Sequence, residues 1–211
     1  MKLKAVEKLC RAAGCIYIFD EGIPTVEPDE LDEDTEGAVY PRQWMSDGVA
    51  CYPLDGFPYL DEEAVCAVFD VNAKQRDKLV ITHKEMPEGM DFGDLHPGDG
   101  DVLEPIRFQM SIGGEELYLL RDASGALLMI KDCYRKPFDA WKECECYKRV
   151  DKDGRPYVAV MSGCVLRGCV YPYRMGEDLV ETLGAVYNAA AVALETEALS
   201  VLTGGARNEA R

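Results

Sequence analysis

The sequence has no run of about 18 consecutive apolar residues, the length at which a helix becomes a candidate to span a membrane. Its opening residues, MKLKAVEKLCRAAG, carry charges throughout and lack the apolar centre of a signal peptide. From these two absences we expect a cytoplasmic protein with no membrane partner.

The familiar motifs of catalysis and nucleotide binding are missing as well. No GxxxxGKS/T or GxGxxG segment stands between a predicted strand and a helix, and no GxSxG or HExxH segment occurs. His83 and His96 are predicted to be surface residues of loops, where neither is positioned as a base. We therefore assign no catalytic residue, no metal ligand and no cofactor, and expect a protein that is not an enzyme.

The nine cysteines are an odd number in a chain with no recognisable signal peptide, which argues against a disulfide framework. Cys144-Glu145-Cys146 lies in a predicted strand, but no second pair accompanies it as a structural zinc site requires. Several other cysteines lie within apolar runs, where cysteine behaves as a small hydrophobic residue. These are Cys10, Cys51, Cys66, Cys164 and Cys169.

What the chain has in excess is negative charge. Its 211 residues include 23 Lys and Arg against 39 Asp and Glu, a formal net charge of −16. Residues 20–36 hold nine acids and residues 85–104 hold seven, with no Lys or Arg in either segment. Both segments are punctuated by Pro and Gly, so we predict solvated loops. Two interpretations stay open: a binding role, as a decoy for a basic partner or a cation site, or a contribution to solubility alone.

Basic residues concentrate in two other places. Residues 131–174 contain ten Lys and Arg against six acids, and the first eleven residues contain four against one. A globally acidic protein can still hold nucleic acid on one basic face, because salt screens charges that lie further from the phosphates. If nucleic acid binds, we predict contacts from Lys4, Lys8 and Arg11 on a first helix and from Arg135, Lys136 and Lys142 around a third. The alternative is that these are the solubilising charges of an ordinary surface.

Apolar periodicity and turn residues predict a mixture of helices and strands. Residues 2–13 have helical spacing, and LDEEAVCAVFD, from residue 60, has the acids of a helix N-terminus. Ser46-Asp47-Gly48 separates two apolar runs, which is typical of a tight hairpin. Further strands are predicted at 15–19, 79–82, 106–112, 116–121, 126–131, 143–150, 157–161 and 165–171, with a short helical segment at 133–140 and a long helix at 177–199.

Hairpin signals outnumber strand–helix–strand alternation, so the predicted fold class is α+β with a mainly antiparallel sheet. We expect two similar halves, residues 1–84 and 105–211, joined by the acidic loop 85–104, with helices interleaved between strand triplets. A short internal echo accompanies this division: MSDGVACYP at 45–53 is similar to MSGCVLRGCVYP at 161–172. Both a duplication and a chance match would explain the echo.

Two segments, QWMSDGVACYPLDGFPYLDEEAVCAVFD at 43–70 and MIKDCYRKPF at 129–138, resemble an uncharacterised family of clostridial prophage and phage proteins. The resemblance extends over most of the chain except the two acidic segments. It implies no established activity. It implies a phage-type gene product that acts inside a bacterium.

The predicted organisation is also similar to that of DNA sliding clamps, which repeat units of a helix and several antiparallel strands and carry a basic, helix-lined inner face on an acidic protein. Arg174-Met175, after Val170-Tyr171-Pro172-Tyr173, resembles the strand that closes a bacterial clamp chain. The short third helix and the long final helix depart from the clamp pattern, and likeness of architecture does not establish function.

Together these observations lead to one functional hypothesis with two alternatives. The hypothesis is a non-catalytic phage-type accessory protein of DNA metabolism, sliding-clamp-like, with DNA and a replication or recombination protein as partners and a homo-oligomeric state. One alternative is an enzyme with an unrecognised acid or cysteine site. The other is a regulatory protein that binds a host factor.

Overall fold

A computed structural model of the chain describes residues 1–22, 42–96, 99–100 and 102–176. Met1–Tyr173 form one compact unit, and Arg174–Arg211 form a second. The predicted helix at 177–199 and most of the first acidic segment lie outside the described residues. Within the described ranges, no helix is long and apolar enough to cross a membrane.

The fold class predicted from the sequence, α+β with a mainly antiparallel sheet, is confirmed. The described α-helices are α1 (Leu3–Ala13), α2 (Glu62–Val68) and α3 (Ala73–Arg76). The strands are β1 (Cys15–Glu21), β2 (Arg42–Ser46), β3 (Ala50–Pro53), β4 (Val80–Glu85), β5 (Glu104–Ile112), β6 (Glu115–Arg121), β7 (Leu127–Lys131), β8 (Glu145–Val150), β9 (Pro156–Ser162) and β10 (Val165–Val170). Short 3-10 helices span Asp132–Arg135 and Trp141–Glu143.

The strands form two sheets. The larger has seven strands in the order β4-β1-β2-β3-β10-β9-β8, and the smaller has the order β5-β6-β7. All pairings are antiparallel except that of β1 with β4. Because β3 pairs with β10, strands from both predicted halves share the larger sheet.

Six strands of the larger sheet form two three-stranded meanders that meet at one seam. The meander β1-β2-β3 and the meander β8-β9-β10 place their last strands side by side, with Cys51 opposite Cys169 and Ala50 opposite Val170. The two copies of the sequence echo fall on the hairpins β2–β3 and β9–β10, which occupy equivalent positions on either side of the seam.

Local sequence explains the first turns and helices. The Asp47 carboxylate accepts hydrogen bonds from the backbone N–H groups of Val49 and Ala50, at 3.0 and 2.9 Å, and so closes the predicted hairpin. Asp61 caps α2 by accepting from the N–H of Ala64 at 2.7 Å. Gly14 ends α1 with a φ of 74°, a left-handed conformation that glycine adopts without strain.

Two local predictions need correction. The helical segment expected at 133–140 is a 3-10 helix of four residues, Asp132–Arg135, and Pro137 shortly after it cannot donate a helical hydrogen bond. His83, expected on a loop, lies within β4. There its Nε2 lies 2.9 Å from Asp20 Oδ2, so the side chain links β4 to the neighbouring strand β1.

The larger sheet is covered on both faces. On one face the main core contains side chains of α1, α2 and the smaller sheet, among them Val6, Val65 and Ile130. On the other face Trp44, Tyr157 and Cys169 pack with Phe92, which comes from the second acidic segment. Phe92 lies against Trp44 with ring centroids 4.9 Å apart.

The second acidic segment was predicted to be a solvated loop. Its described residues do form a loop, in which Glu88, Asp94 and Leu95 are exposed, but Phe92 is buried. We call residues 86–96 and 99–100 the acidic strap, because they pack across one face of the sheet. The Asp91 N–H donates to the Tyr157 hydroxyl at 3.1 Å, and Asp94 accepts from the N–H of Leu166 at 2.8 Å. These bonds join the strap to β9 and β10.

The strongest anchor of the strap is Arg149 on β8, which is 1% exposed. Its guanidinium donates to both carboxylate oxygens of Asp99, at 2.9 and 2.6 Å. It also donates to the carbonyl oxygens of Asp91 and Gly93, each at 3.0 Å. Burial by itself raises the pKa of Asp99, but the hydrogen bonds and charge of Arg149 outweigh it, and the pKa lies below its ordinary value.

We expect this anchor to weaken in acid. A carboxyl group whose pKa is depressed by folding contributes stability that is fully present above its unfolded pKa, about 3.9, and is lost as the pH falls through the folded pKa. Between about pH 6 and about pH 3, the free energy of unfolding should therefore fall more for the wild type than for Asp99→Asn, as measured by urea denaturation. As a control, Glu116→Gln removes an exposed carboxylate of β6 and should keep the wild-type pH dependence. An equal loss in all three proteins would contradict the prediction.

Candidate functional site

A cleft of about 1000 Å³ lies between α1 and the segment that follows β7. We call it the lysine cleft, because lysines are its most frequent polar side chains. They are Lys2, Lys4, Lys8, Lys131 and Lys136. The rest of the lining consists of Asp47, Glu115, Cys133, Tyr134 and the apolar side chains of α1.

The amphipathic pattern of α1 sets one wall of the cleft. Val6 and Cys10 are fully buried in the main core, which fixes the rotation of the helix. Lys4 and Lys8 are one turn apart, on the same side of the helix, and both are exposed. Sequence spacing therefore accounts for two of the five lysines.

The other wall is held to α1 by the start of the chain. The Lys2 N–H donates to the carbonyl oxygen of Pro137 at 2.8 Å. The amino group of Met1 forms an ion pair with Asp139. These contacts join the N-terminus to the residues after the first 3-10 helix, whose Lys136 faces the cleft.

The acids in the cleft leave much of its positive charge uncompensated. Lys131 Nζ lies 3.0 Å from Glu115 Oε1, so this lysine is paired. Asp47 is buried and engaged by the backbone of its own hairpin. Among the described residues, Lys4, Lys8 and Lys136 are exposed and form no ion pair with an acid. Three unpaired ammonium groups in a protein of net charge −16 make the cleft an attractive site for an anion.

The structure divides the six residues that the sequence proposed for nucleic-acid contact. Lys4, Lys8 and Lys136 line the lysine cleft. Arg11 does not line it, because its guanidinium bonds to Glu7 at 2.7 Å and to the carbonyl oxygen of Phe69. The remaining two, Arg135 and Lys142, line a second and smaller cavity. Sequence reasoning missed Lys2 and Lys131, although both belong to the basic clusters that it counted.

The second cavity, of about 360 Å³, is an aromatic pocket next to the first 3-10 helix. Tyr118 and Trp141 meet edge to face, with ring centroids 5.6 Å apart. The Arg135 guanidinium lies over both rings, with its central carbon 3.9 Å from the Tyr118 centroid and 5.5 Å from that of Trp141. Lys142 adds a second positive charge to this aromatic pocket, and Glu145 adds one negative charge.

The thiols show little of the chemistry of a catalytic cysteine. Burial raises the pKa of the Cys146 and Cys169 thiols to about 12, and it also raises the pKa of Cys10 and Cys144. The nucleophilic form is the thiolate, so these four are poor nucleophiles near neutral pH. Across the described ranges, no three His, Cys, Asp or Glu side chains are grouped so that they could hold a metal ion.

His83 belongs to a small polar cluster around Asp20. Asp20 Oδ2 lies 2.9 Å from His83 Nε2 and accepts the hydroxyl of Tyr59 at 3.0 Å, while Oδ1 accepts from the Gln43 amide at 2.9 Å. Burial and the contact with Asp20 raise the pKa of Tyr59 to about 12. This cluster ties β1, β2 and β4 together.

Comparison with known proteins adds no relative. No family model, no curated protein and no solved structure matches the chain.

Proposed function

We propose that the protein is a non-catalytic DNA-binding protein that holds the phosphate backbone in the lysine cleft. The observation that carries the proposal is the convergence of five lysines on one concave site in a protein of net charge −16. The net negative charge of the chain repels a polyanion, so binding needs a local group of cations, and this face supplies one.

The chemistry of the cleft favours the DNA backbone over a single small anion. Its cations stand on both walls, three of them at the start of the chain and two beyond β6. A polyanion can neutralise several of them at once, and each phosphate contact releases counterions. The described lining contains no arginine, whose planar fork suits bidentate recognition of bases. We therefore expect binding that does not depend on DNA sequence.

The resemblance of residues 43–70 and 129–138 to prophage proteins implies a phage-type gene product without a known activity, and we propose a role in DNA metabolism for it. The paired meanders β1-β2-β3 and β8-β9-β10 are compatible with the repeated units of the clamp hypothesis. A replication or recombination protein as partner, and a homo-oligomeric ring, are further parts of this proposal. The mass of the protein in solution, measured with and without DNA, tests the ring separately from DNA binding.

The test of DNA binding removes the unpaired lysines. We expect Lys4→Ser, Lys8→Ser and Lys136→Ser together to weaken DNA binding at about 50 mM salt by at least tenfold. The slope of log affinity against log salt should fall by about three, one for each lysine that no longer neutralises a phosphate. Fluorescence anisotropy of labelled DNA at several salt concentrations measures both quantities.

A matched control removes the same number of charges from α3 and its C-terminal flank. Lys74, Arg76 and Lys78 are exposed and line none of the described cavities, so Lys74→Ser, Arg76→Ser and Lys78→Ser together should leave affinity and slope close to the wild type. Equal losses in the two triple variants would show only a general effect of charge and would overturn the lysine cleft as the site. A wild-type protein that ignores DNA at low salt would refute the proposed function.

A further inference from the structure

The aromatic pocket and the lysine cleft share one wall. Tyr134 and Lys136 line the lysine cleft, whereas Arg135, between them in sequence, lines the aromatic pocket. The first 3-10 helix and the residue after it therefore separate a site for phosphates from a site with exposed aromatic surface.

The aromatic pocket is suited to a flat, electron-rich group. Trp141 is partly exposed and is braced by Phe138, with ring centroids 5.3 Å apart. The central carbon of the Arg135 guanidinium lies over the Tyr118 ring, 3.9 Å from its centroid. Planar aromatic rings and guanidinium groups are the surfaces on which unpaired bases stack.

The Arg135 side chain also has an acidic neighbour. Its Nε lies 3.0 Å from Asp132 Oδ1, but the geometry of this ion pair is not that of a hydrogen bond. Nε is buried, and no described atom accepts its hydrogen. The cavity of about 360 Å³ beside this guanidinium is within the size range of small-molecule sites.

We propose that the aromatic pocket takes an unpaired base of DNA, stacked on Trp141 and the Arg135 guanidinium, and that the protein therefore prefers single-stranded to duplex DNA. This inference rests on the proposed function, because the lysine cleft supplies the contacts to the backbone. Bases in a duplex keep their faces stacked on their neighbours, so only a single strand can use the pocket.

The fluorescence of Trp141 gives a direct readout. The chain has two tryptophans, and Trp44 is fully buried, so a change on adding DNA reports mainly on Trp141. An oligodeoxythymidylate of about 20 nucleotides, longer than the sites of about 4–16 nucleotides of OB-fold single-strand binders, should quench this fluorescence. A strand of equal length with abasic sites in place of the bases should bind more weakly and leave the fluorescence unchanged.

Two substitutions at Trp141 separate stacking from packing. Trp141→Leu keeps apolar bulk without an aromatic face and should weaken binding of the oligodeoxythymidylate by about 5- to 100-fold, the range seen when a stacking side chain is removed. Trp141→Phe keeps a ring and should bind within about threefold of the wild type. Neither variant should change the affinity for a duplex.

Phe108→Ala, which removes an exposed aromatic side chain of β5 outside the pocket, is the matched control and should bind as the wild type does.

The outcomes distinguish this inference from the proposed function. If thymidylate and abasic strands bind equally and neither changes the fluorescence, the pocket takes no base, while the lysine cleft stands as a backbone site. If the wild type binds neither strand at low salt, both proposals fail. The comparison of strands uses the wild-type protein, so it tests the pocket even if Trp141→Leu does not fold.

Discussion

Replacing Arg149 by Met should lower the free energy of unfolding by about 3–5 kcal/mol, the cost of removing one partner from a buried ion pair. The substitution retains much of the volume of the side chain but removes every donor. Asp99 then loses the bidentate partner that offsets its partial burial, and the carbonyl oxygens of Asp91 and Gly93 lose their donor. Urea denaturation followed by circular dichroism measures the loss.

A surface ion pair provides the comparison for this prediction. Arg121 pairs with Glu104, and both side chains are more than half exposed, so Arg121→Met should cost no more than about 1 kcal/mol. In the Arg149→Met background, Asp99→Asn should cost less than it does in the wild type, because the carboxylate has already lost its partner. If Arg149→Met and Arg121→Met have equal effects, the strap is not anchored by Arg149.

Loss of the Arg149 anchor should destabilise the strap more than the rest of the protein. Phe92 packs on Trp44 from the strap, and Asp91 and Asp94 bond to β9 and β10. In Arg149→Met, we expect the amide hydrogens of the strap to exchange faster than those of β9, because local opening requires fewer interactions to break. The acidic composition of the strap is thus compatible with a structural role.

Local signals in the sequence were sufficient for most individual elements. The Asp47-Gly48 turn predicted the hairpin β2–β3, and the acids after Leu60 predicted α2, because both depend on residues within a few positions of each other. The pairing of β3 with β10 and the parallel pairing of β1 with β4 join residues far apart in sequence. No local pattern carries that information.

The acidic strap shows why the remainder could not be predicted. Its Pro, Gly and Asp residues are typical of solvated loops, and Arg149 looked like one more surface charge, since arginine is seldom fully buried. The apolar residues Met86, Met90 and Phe92 are the residues of the segment that pack in the core. Within the candidate site, helical spacing correctly predicted that Lys4 and Lys8 share one side of α1. It could not predict that Arg11 donates to the carbonyl oxygen of Phe69, because that residue is distant in sequence.

The seam between the two meanders leads to the last prediction, which concerns Gly168. This residue lies at a bulge of β10, next to the pairing with β3. A Cβ atom added there would stand 2.9 Å from the carbonyl oxygen of Cys51 and 3.0 Å from the edge of the Phe138 ring. The carbonyl belongs to a paired strand and cannot move aside without disturbing the seam.

We therefore expect Gly168→Ala to destabilise the protein by about 1–3 kcal/mol, the usual cost of overpacking a core. The direction of this change in stability is informative. At an unstrained, open position, Gly→Ala stabilises the folded protein by about 0.4–1 kcal/mol, because it reduces the conformational entropy of the unfolded chain. Gly176→Ala is the control, since an added Cβ there meets no atom of the described residues within 4 Å. Phe138 also contacts Trp141, at 5.3 Å between ring centroids, so the clash should change tryptophan fluorescence in the folded state. A Gly168→Ala variant as stable as Gly176→Ala, with unchanged fluorescence, would show that the seam is looser than these distances imply.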